Sequence, residues 1–145
     1  MNTDLMFSSK EPDWETPQAF FDDLDKEFHF TLDAAASAGN TKCKRYYTKQ
    51  DNALDKEWSE STYCNPPYGR GVIDWVEKAY TESLKGKTVV MLLPARTDTK
   101  WFHKYVLNKA EIRFIKGRLK FGDGDNSAPF PSMVVIYRTQ RKEYE

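Results

Sequence analysis

The chain has 145 residues, 39% of them hydrophobic and 14% aromatic, with 22 basic and 22 acidic side chains. That length suits one domain, 1–145, with a real core, and the composition excludes a disordered chain. No apolar run nears the roughly 20 residues of a membrane span, and Met1 to Lys10 lacks the layout of a signal peptide, so the expectation is a soluble, cytoplasmic protein.

Cys43 and Cys64 match neither a zinc pattern nor a disulfide framework, and zero net charge argues against a strong whole-molecule pull on nucleic acid. Charge is nevertheless unevenly spread. Residues 1–33 carry nine acids against two lysines, whereas residues 96–120 carry eight basic side chains against Asp98 and Glu111. One end should repel phosphate and one face could meet it, although such charges equally suit a plain solvated surface.

The hydrophobic period switches several times, as in alternating helices and strands. Thr16-Pro17 reads as a helix start, a hydroxyl to cap free amides and a proline in the first turn, with Phe20, Leu24 and Phe28 as the apolar face. Phe28, Phe30 and Leu32 then alternate with His29 and Thr31 at strand period, ending at Asp33 and the small residues Ala34, Ala35, Ala36 and Ser37. Short strands are predicted from Arg45 to Thr48 and from Thr62 to Cys64, the second ended by Asn65-Pro66-Pro67-Tyr68 because prolines remove ladder donors. Val72, Trp75, Val76, Ala79, Tyr80 and Leu84 share one helical face, and Gly86 closes that helix before a buried strand from Val89 to Leu93.

Asp98 is placed to cap a helix bearing Trp101, Phe102, Tyr105 and Val106, aromatic residues that fit a core better than a DNA surface; strands from Ile112 to Ile115 and from Met133 to Tyr137 follow. This alternation predicts an α/β fold with a mostly parallel sheet flanked by helices. In such sheets ligands lie beyond the carboxyl ends of the strands, so Asp33, the Asp51 region, Asn65 and Pro94-Ala95-Arg96 should converge on one crevice.

Asn65-Pro66-Pro67-Tyr68 carries the most chemistry. An aromatic amine such as that of adenine is a poor nucleophile, because its lone pair is delocalised into the ring. A catalyst gains by holding both N–H bonds with carbonyl acceptors, and the Asn65 side chain and the Pro66 backbone supply two. Pro67 stiffens the loop, and Tyr68 offers a flat face on which an extruded base can stack, a contact of roughly 1–3 kcal/mol. The same four residues also suit a proline-terminated turn with an aromatic plug.

The wider pattern resembles the phage-type DNA N-6-adenine methyltransferase family. The resemblance rests on Trp14-Glu15-Thr16-Pro17, Leu32-Asp33-Ala34-Ala35-Ala36, Asn65 to Tyr68, Leu93 to Phe102, and Ile115-Lys116-Gly117-Arg118-Leu119-Lys120-Phe121, and runs from about Trp14 to Tyr137. It implies a class I, Rossmann-like methyltransferase fold, and at 145 residues a compact or trimmed version without a target-recognition domain is expected. It further implies that Trp14, Thr16, Pro17, Asp33, Ala34, Ala35, Asp51 and Asn65 surround S-adenosylmethionine and that Asn65, Pro66, Pro67 and Tyr68 form the catalytic motif; from the basic segment, Arg96, Lys100, Lys116 and Arg118 are expected to meet DNA. A phage or prophage source and a monomer or weak dimer belong to the same expectation. One departure concerns the loop after the first strand, where Ala34-Ala35-Ala36-Ser37 replaces the usual glycines and Gly39 arrives late.

Other signals fail on spacing. Gly86-Lys87-Thr88 imitates a P-loop end but lacks the earlier glycine, where Thr81 stands. Asp123-Gly124-Asp125-Asn126 imitates a calcium loop, but Val134 occupies the position of the closing glutamate. His29 and His103 are too isolated for a metal site. Open alternatives are a methyltransferase acting on RNA or on a protein glutamine, and a non-enzymatic DNA-binding module.

Overall fold

The computed structural model describes residues 14–122 and 127–138. Helix α1 (Gln18–Phe28) buries Phe21, Leu24 and Phe28, with Phe20 only half-buried. The expected strand through Phe28 does not form. The helix runs to Phe28 and stops where His29 turns left-handed at φ 51°, leaving a two-residue strand β1 (Leu32–Asp33). Of the strand expected from Arg45 to Thr48 only a bridge between Asp33 and Tyr46 remains, and two single 3-10 turns, Lys49–Asp51 and Ala53–Asp55, follow it.

Strand β2 (Ser61–Cys64), helix α2 (Val72–Leu84), strand β3 (Thr88–Pro94), a π-helical turn (Phe102–Val106), strand β4 (Glu111–Phe114) and strand β5 (Ser132–Tyr137) complete the order. The turn at Phe102 begins under the hydroxyl of Thr99, which accepts the Phe102 amide at 3.3 Å, so Thr99 takes the role expected of Asp98. A bond from the Leu107 amide to the Phe102 carbonyl closes the wide turn.

The sheet order is β1-β2-β3-β5-β4. Strands β1, β2 and β3 are parallel, and β5 is antiparallel to both β3 and β4, so β4 runs with the first three. Among the described residues no helix lies between β4 and β5, and the chain returns antiparallel, as strands joined without a crossover helix do. Four strands therefore end at one edge of the sheet. Asp33, Asn65, Ala95 and Ile115 all lie there, at or just past a strand end.

Alternation along β3 and β5 splits the core into two layers. Val89, Met91, Leu93, Met133, Val135 and Tyr137 face α2 and the π-helical turn, where Phe102 and Tyr105, with Trp101 just before them, are buried as expected of core aromatics. Val90, Leu92, Val134 and Ile136 face α1 together with Tyr63, Phe121 and Phe130.

The far end of α2 departs from its sequence pattern. Leu84 is 56% exposed while Glu82 is fully buried. Its carboxylate accepts the Trp58 amide at 3.1 Å and meets Lys78, Lys87 and Lys85 at 3.0, 2.7 and 3.1 Å. Burial alone would raise its pKa, but hydrogen bonds from Lys87, Lys78, the Trp58 amide and Lys85 outweigh that and hold it at about 2. A carboxyl with a lowered folded pKa stabilises above the ordinary value of 4.5, and that stability drains as pH falls towards 2. Glu82→Ala should lower unfolding free energy at neutral pH by about 3 kcal/mol in chemical denaturation, and should remove part of the wild-type acid sensitivity below pH ~5.

Candidate active site

Asn65-Pro66-Pro67-Tyr68 leaves the end of β2 and crosses the carboxyl edge of the sheet. The Asn65 side chain is anchored at both ends. Its Nδ2 donates to the Trp14 carbonyl at 2.5 Å and to Thr16 Oγ1 at 3.2 Å, and its Oδ1 accepts the Tyr68 hydroxyl at 2.8 Å. The Tyr68 hydroxyl also lies 2.9 Å from the Leu92 carbonyl, and its ring meets Phe130 edge-on at 5.7 Å. Burial pushes the Tyr68 phenol well above its ordinary pKa, so it stays a neutral donor. The Pro66 carbonyl carries no hydrogen bond among the described residues, which leaves it available as a second acceptor.

Thr16 does not cap α1. Pro17 occupies the N-cap position with no side-chain cap bond, and the Thr16 hydroxyl turns inward to Tyr63 Oη at 2.6 Å. The helix therefore loses a cap and the motif gains a brace.

Beside the motif lies a cavity of about 840 Å³, within the roughly 300–1,000 Å³ of small-molecule sites. Of the residues expected around a cofactor it is lined by Trp14, Thr16, Asp33, Ala34, Ala35 and Asn65, while Pro17 and Asp51 are not on its wall. Asp51 instead forms the first 3-10 turn, its Oδ2 accepting the Thr48 amide at 2.7 Å and hydroxyl at 3.0 Å. Its neighbours Thr48, Lys49, Gln50 and Asn52 do line the cavity. Tyr47, Tyr63 and Trp75 line it as well and were not foreseen. Only the strand alternation of Thr62-Tyr63-Cys64 could have signalled Tyr63.

Asp33 is 3% exposed, with its two oxygens accepting the Ala35 amide at 3.4 Å and the Lys42 amide at 3.0 Å. Burial pushes its pKa up to about 6, against the downward pull of those two amides. Because that value is raised, ionisation costs folding stability as pH climbs through it. A carboxylate has about four acceptor positions and two are used, so Asp33 keeps room for ligand hydroxyls. The alanine run beside it needs no glycine, since no residue from Ala34 to Ala38 has positive φ. Small side chains alone permit close approach.

Arg96, Lys116 and Arg118 are exposed on loops after β3 and β4, and Lys100 is exposed at the start of the helical turn after β3, at the same edge as the motif. Arg118 Nη1 also donates to the Ala128 carbonyl at 3.3 Å. Arg113 is withdrawn from the basic segment: it grips Glu27 of α1 through two 2.8 Å contacts and Glu111 through another. Sequence reading passed over Arg70, exposed in the loop between Tyr68 and α2. Asp123 to Asn126 lie outside the described residues. Among the described residues no helix is long and apolar enough to cross a membrane.

Comparison with known proteins gives a family. The model described as DNA N-6-adenine-methyltransferase (Dam) matches residues 5–145. A protein of Haemophilus phage HP1 named DNA N-6-adenine-methyltransferase is 36% identical over 135 residues, 86% of this chain and 77% of that protein. A protein of Escherichia phage T1 with the same name is 36% identical over 109 residues, 73% of this chain; the match spans 45% of that longer relative.

Proposed function

The chain belongs to the DNA N-6-adenine-methyltransferase family, and from that premise we propose that it moves a methyl group from S-adenosylmethionine to the exocyclic N6 amine of adenine in DNA. The observation that carries the reading is the Asn65 carboxamide, held at the mouth of a cofactor-sized cavity beside the unengaged Pro66 carbonyl. The fold we infer is of class I methyltransferase type within a single domain, supported by four co-directional strands that end at one edge.

The cavity suits the cofactor: a buried carboxylate with spare acceptor positions can hold ribose hydroxyls, and small alanines allow close contact. Trp14, Thr16, Asp33, Ala34 and Ala35 would hold it, with Pro17 and Asp51 shaping the segments that carry Thr16 and Thr48. When bound, S-adenosylmethionine supplies a methyl group already activated on a sulfonium. The protein's task is then alignment. Asn65 Oδ1 and the Pro66 carbonyl accept the two amine N–H bonds and draw the nitrogen towards tetrahedral geometry. Pro67 keeps the loop stiff, and Tyr68, with its hydroxyl tied to Asn65 and Leu92, presents a fixed ring to a base drawn out of the stack. Arg96, Lys100, Lys116 and Arg118 lie in the segments after β3 and β4 that would meet the phosphates.

Transfer of labelled methyl to unmethylated DNA, followed by nucleoside digestion, tests the reading. The product should be N6-methyladenine, and Asn65→Ala should lower kcat at least ~100-fold while changing cofactor Kd by less than about threefold. Label found only in RNA or on glutamine would replace the substrate, and failure to bind the cofactor would leave a DNA-binding module.

Asp33 gives a pH signature. Its carboxylate titrates at about 6, so cofactor affinity measured by calorimetry should fall about tenfold from pH 7 to 5, and Asp33→Asn should bind weakly with a flat profile. Replacing Lys116 and Arg118 together by Ala should reduce the salt slope of DNA affinity by about 2, whereas Arg113→Ala should leave it unchanged because Glu27 and Glu111 already neutralise that guanidinium.

A further inference from the structure

An asparagine side chain has a donor end and an acceptor end, related by a half-turn about the bond to the amide carbon. Only one of the two orientations serves an amine substrate, because an amine donates both N–H bonds and must meet Oδ1. Tyr68 cannot enforce the choice. Its one proton lies within reach of both Oδ1 at 2.8 Å and the Leu92 carbonyl at 2.9 Å, so against a flipped amide the hydroxyl would donate to Leu92 and accept from Nδ2, and this end of the carboxamide does not hold Oδ1 in place.

The other end of the amide discriminates. The Trp14 carbonyl is an acceptor alone and lies 2.5 Å from Nδ2, so a flipped amide would set two carbonyl oxygens against each other. Thr16 Oγ1, 3.2 Å from the same nitrogen, holds the second amide proton. Behind Thr16 stands Tyr63, 1% exposed, whose hydroxyl finds only Thr16 Oγ1 within reach among the described residues. Distance alone lets either hydroxyl donate; when the phenol donates, Thr16 Oγ1 accepts from both Tyr63 and Asn65 Nδ2 and its own proton is left for the cavity that Thr16 lines. The Trp14 ring in turn packs edge-on against Phe121 and Phe130 at 5.5 and 5.2 Å, which fixes the stretch that carries the carbonyl.

We propose that Trp14, Thr16 and Tyr63 form a polarity lock on Asn65: the Trp14 carbonyl dictates which end of the carboxamide faces the substrate, and Tyr63 acts through Thr16 to hold it there. These are positioning residues, and Tyr63 is the member without a role in the family reading set out above. The assignment rests on the proposed amine chemistry, and it adds a second function to Thr16 beside contact with the cofactor.

The test pairs side-chain NMR with kinetics. In ¹⁵N-labelled protein the Asn65 side-chain amide, identified by its loss in Asn65→Ala, should exchange with water at least ~10-fold more slowly than that of the exposed Asn108. Thr16→Val should erase much of that protection and lower kcat at saturating cofactor about tenfold, with KM for DNA changed less than about threefold; Thr16→Ser should restore both protection and kcat, and Tyr63→Phe should lower kcat by a smaller factor. An unprotected Asn65 amide in the wild-type protein overturns the lock without need of any variant. So does a Thr16→Val protein whose kcat is intact and whose loss falls wholly on cofactor KM. A wild-type protein that transfers no methyl to adenine defeats the functional reading instead, and the exchange rate still decides the lock.

Discussion

The parallel pairing of β1 with β2 sets Asp33 opposite Tyr63, and the rest of the site depends on that register. Side chains alternate along a strand, so a slip of one residue would turn each to the opposite face. In the observed register Asp33 borders the cavity, while Tyr63 reaches the N-terminal segment through Thr16 and the next strand-end residue, Asn65, opens the motif. Only two residue pairs make this contact. It is reinforced outside the strands by the Asp33–Tyr46 bridge and by the Asp33 carboxylate, which gathers the amides of Ala35 and Lys42. One acid thus shapes the cavity wall that the functional reading asks it to serve, and burial there pushes its pKa up.

Stability and chemistry occupy opposite ends of the sheet. At the carboxyl edge the loops are rich in acceptors, small residues and exposed cations. At the other edge, charge is spent on structure. Glu82 binds three lysines and the Trp58 amide, and the indole of Trp58 reaches the Ala53 carbonyl at 2.9 Å, so α2 is joined to the turn that follows the cavity wall. On the α1 side, Glu27 and Glu111 hold Arg113 and Arg138, whose guanidinium groups lie over the Phe28 ring at 5.7 and 5.2 Å. This staple crosses from α1 to the edge strand β4 and covers the end of the core.

The same staple explains why charge counts along the sequence overstate a nucleic-acid face. Arg113 lies within the basic stretch, yet its partners include an acid from the opposite end of the chain. Lys109 precedes β4, so it sits at the far edge of the sheet from Lys116, which follows that strand. What remains near the motif is a smaller set of exposed cations, to which the loop after Tyr68 adds Arg70. A modest patch suits a protein whose acidic and basic residues balance overall.

By itself the sequence determined whatever is local. Strand and helix periods located β2, α2, β3, β4 and β5 within a residue or two, two successive prolines ended β2, and the contiguous Asn65-Pro66-Pro67-Tyr68 carried its acceptors in plain view. The small residues after Asp33 marked the cavity wall, and ordinary φ values there explain why alanine serves without glycine. Tertiary structure decided which polar group answers which. Thr16 has the chemistry of a helix cap, but an acceptor is needed by Tyr63, 47 residues away, and by Asn65, so the hydroxyl turned inward. Leu84 fits the apolar face of α2 by period, yet buried space at that end went to Glu82 because three lysines and an amide converge on its carboxylate. The antiparallel insertion of β5 between β3 and β4 was likewise invisible, since strand period is the same in either direction. Periodicity records which face of an element is buried. It does not record the partner, because hydrogen bonds and ion pairs are chosen only when distant segments arrive within about 3 Å of one another.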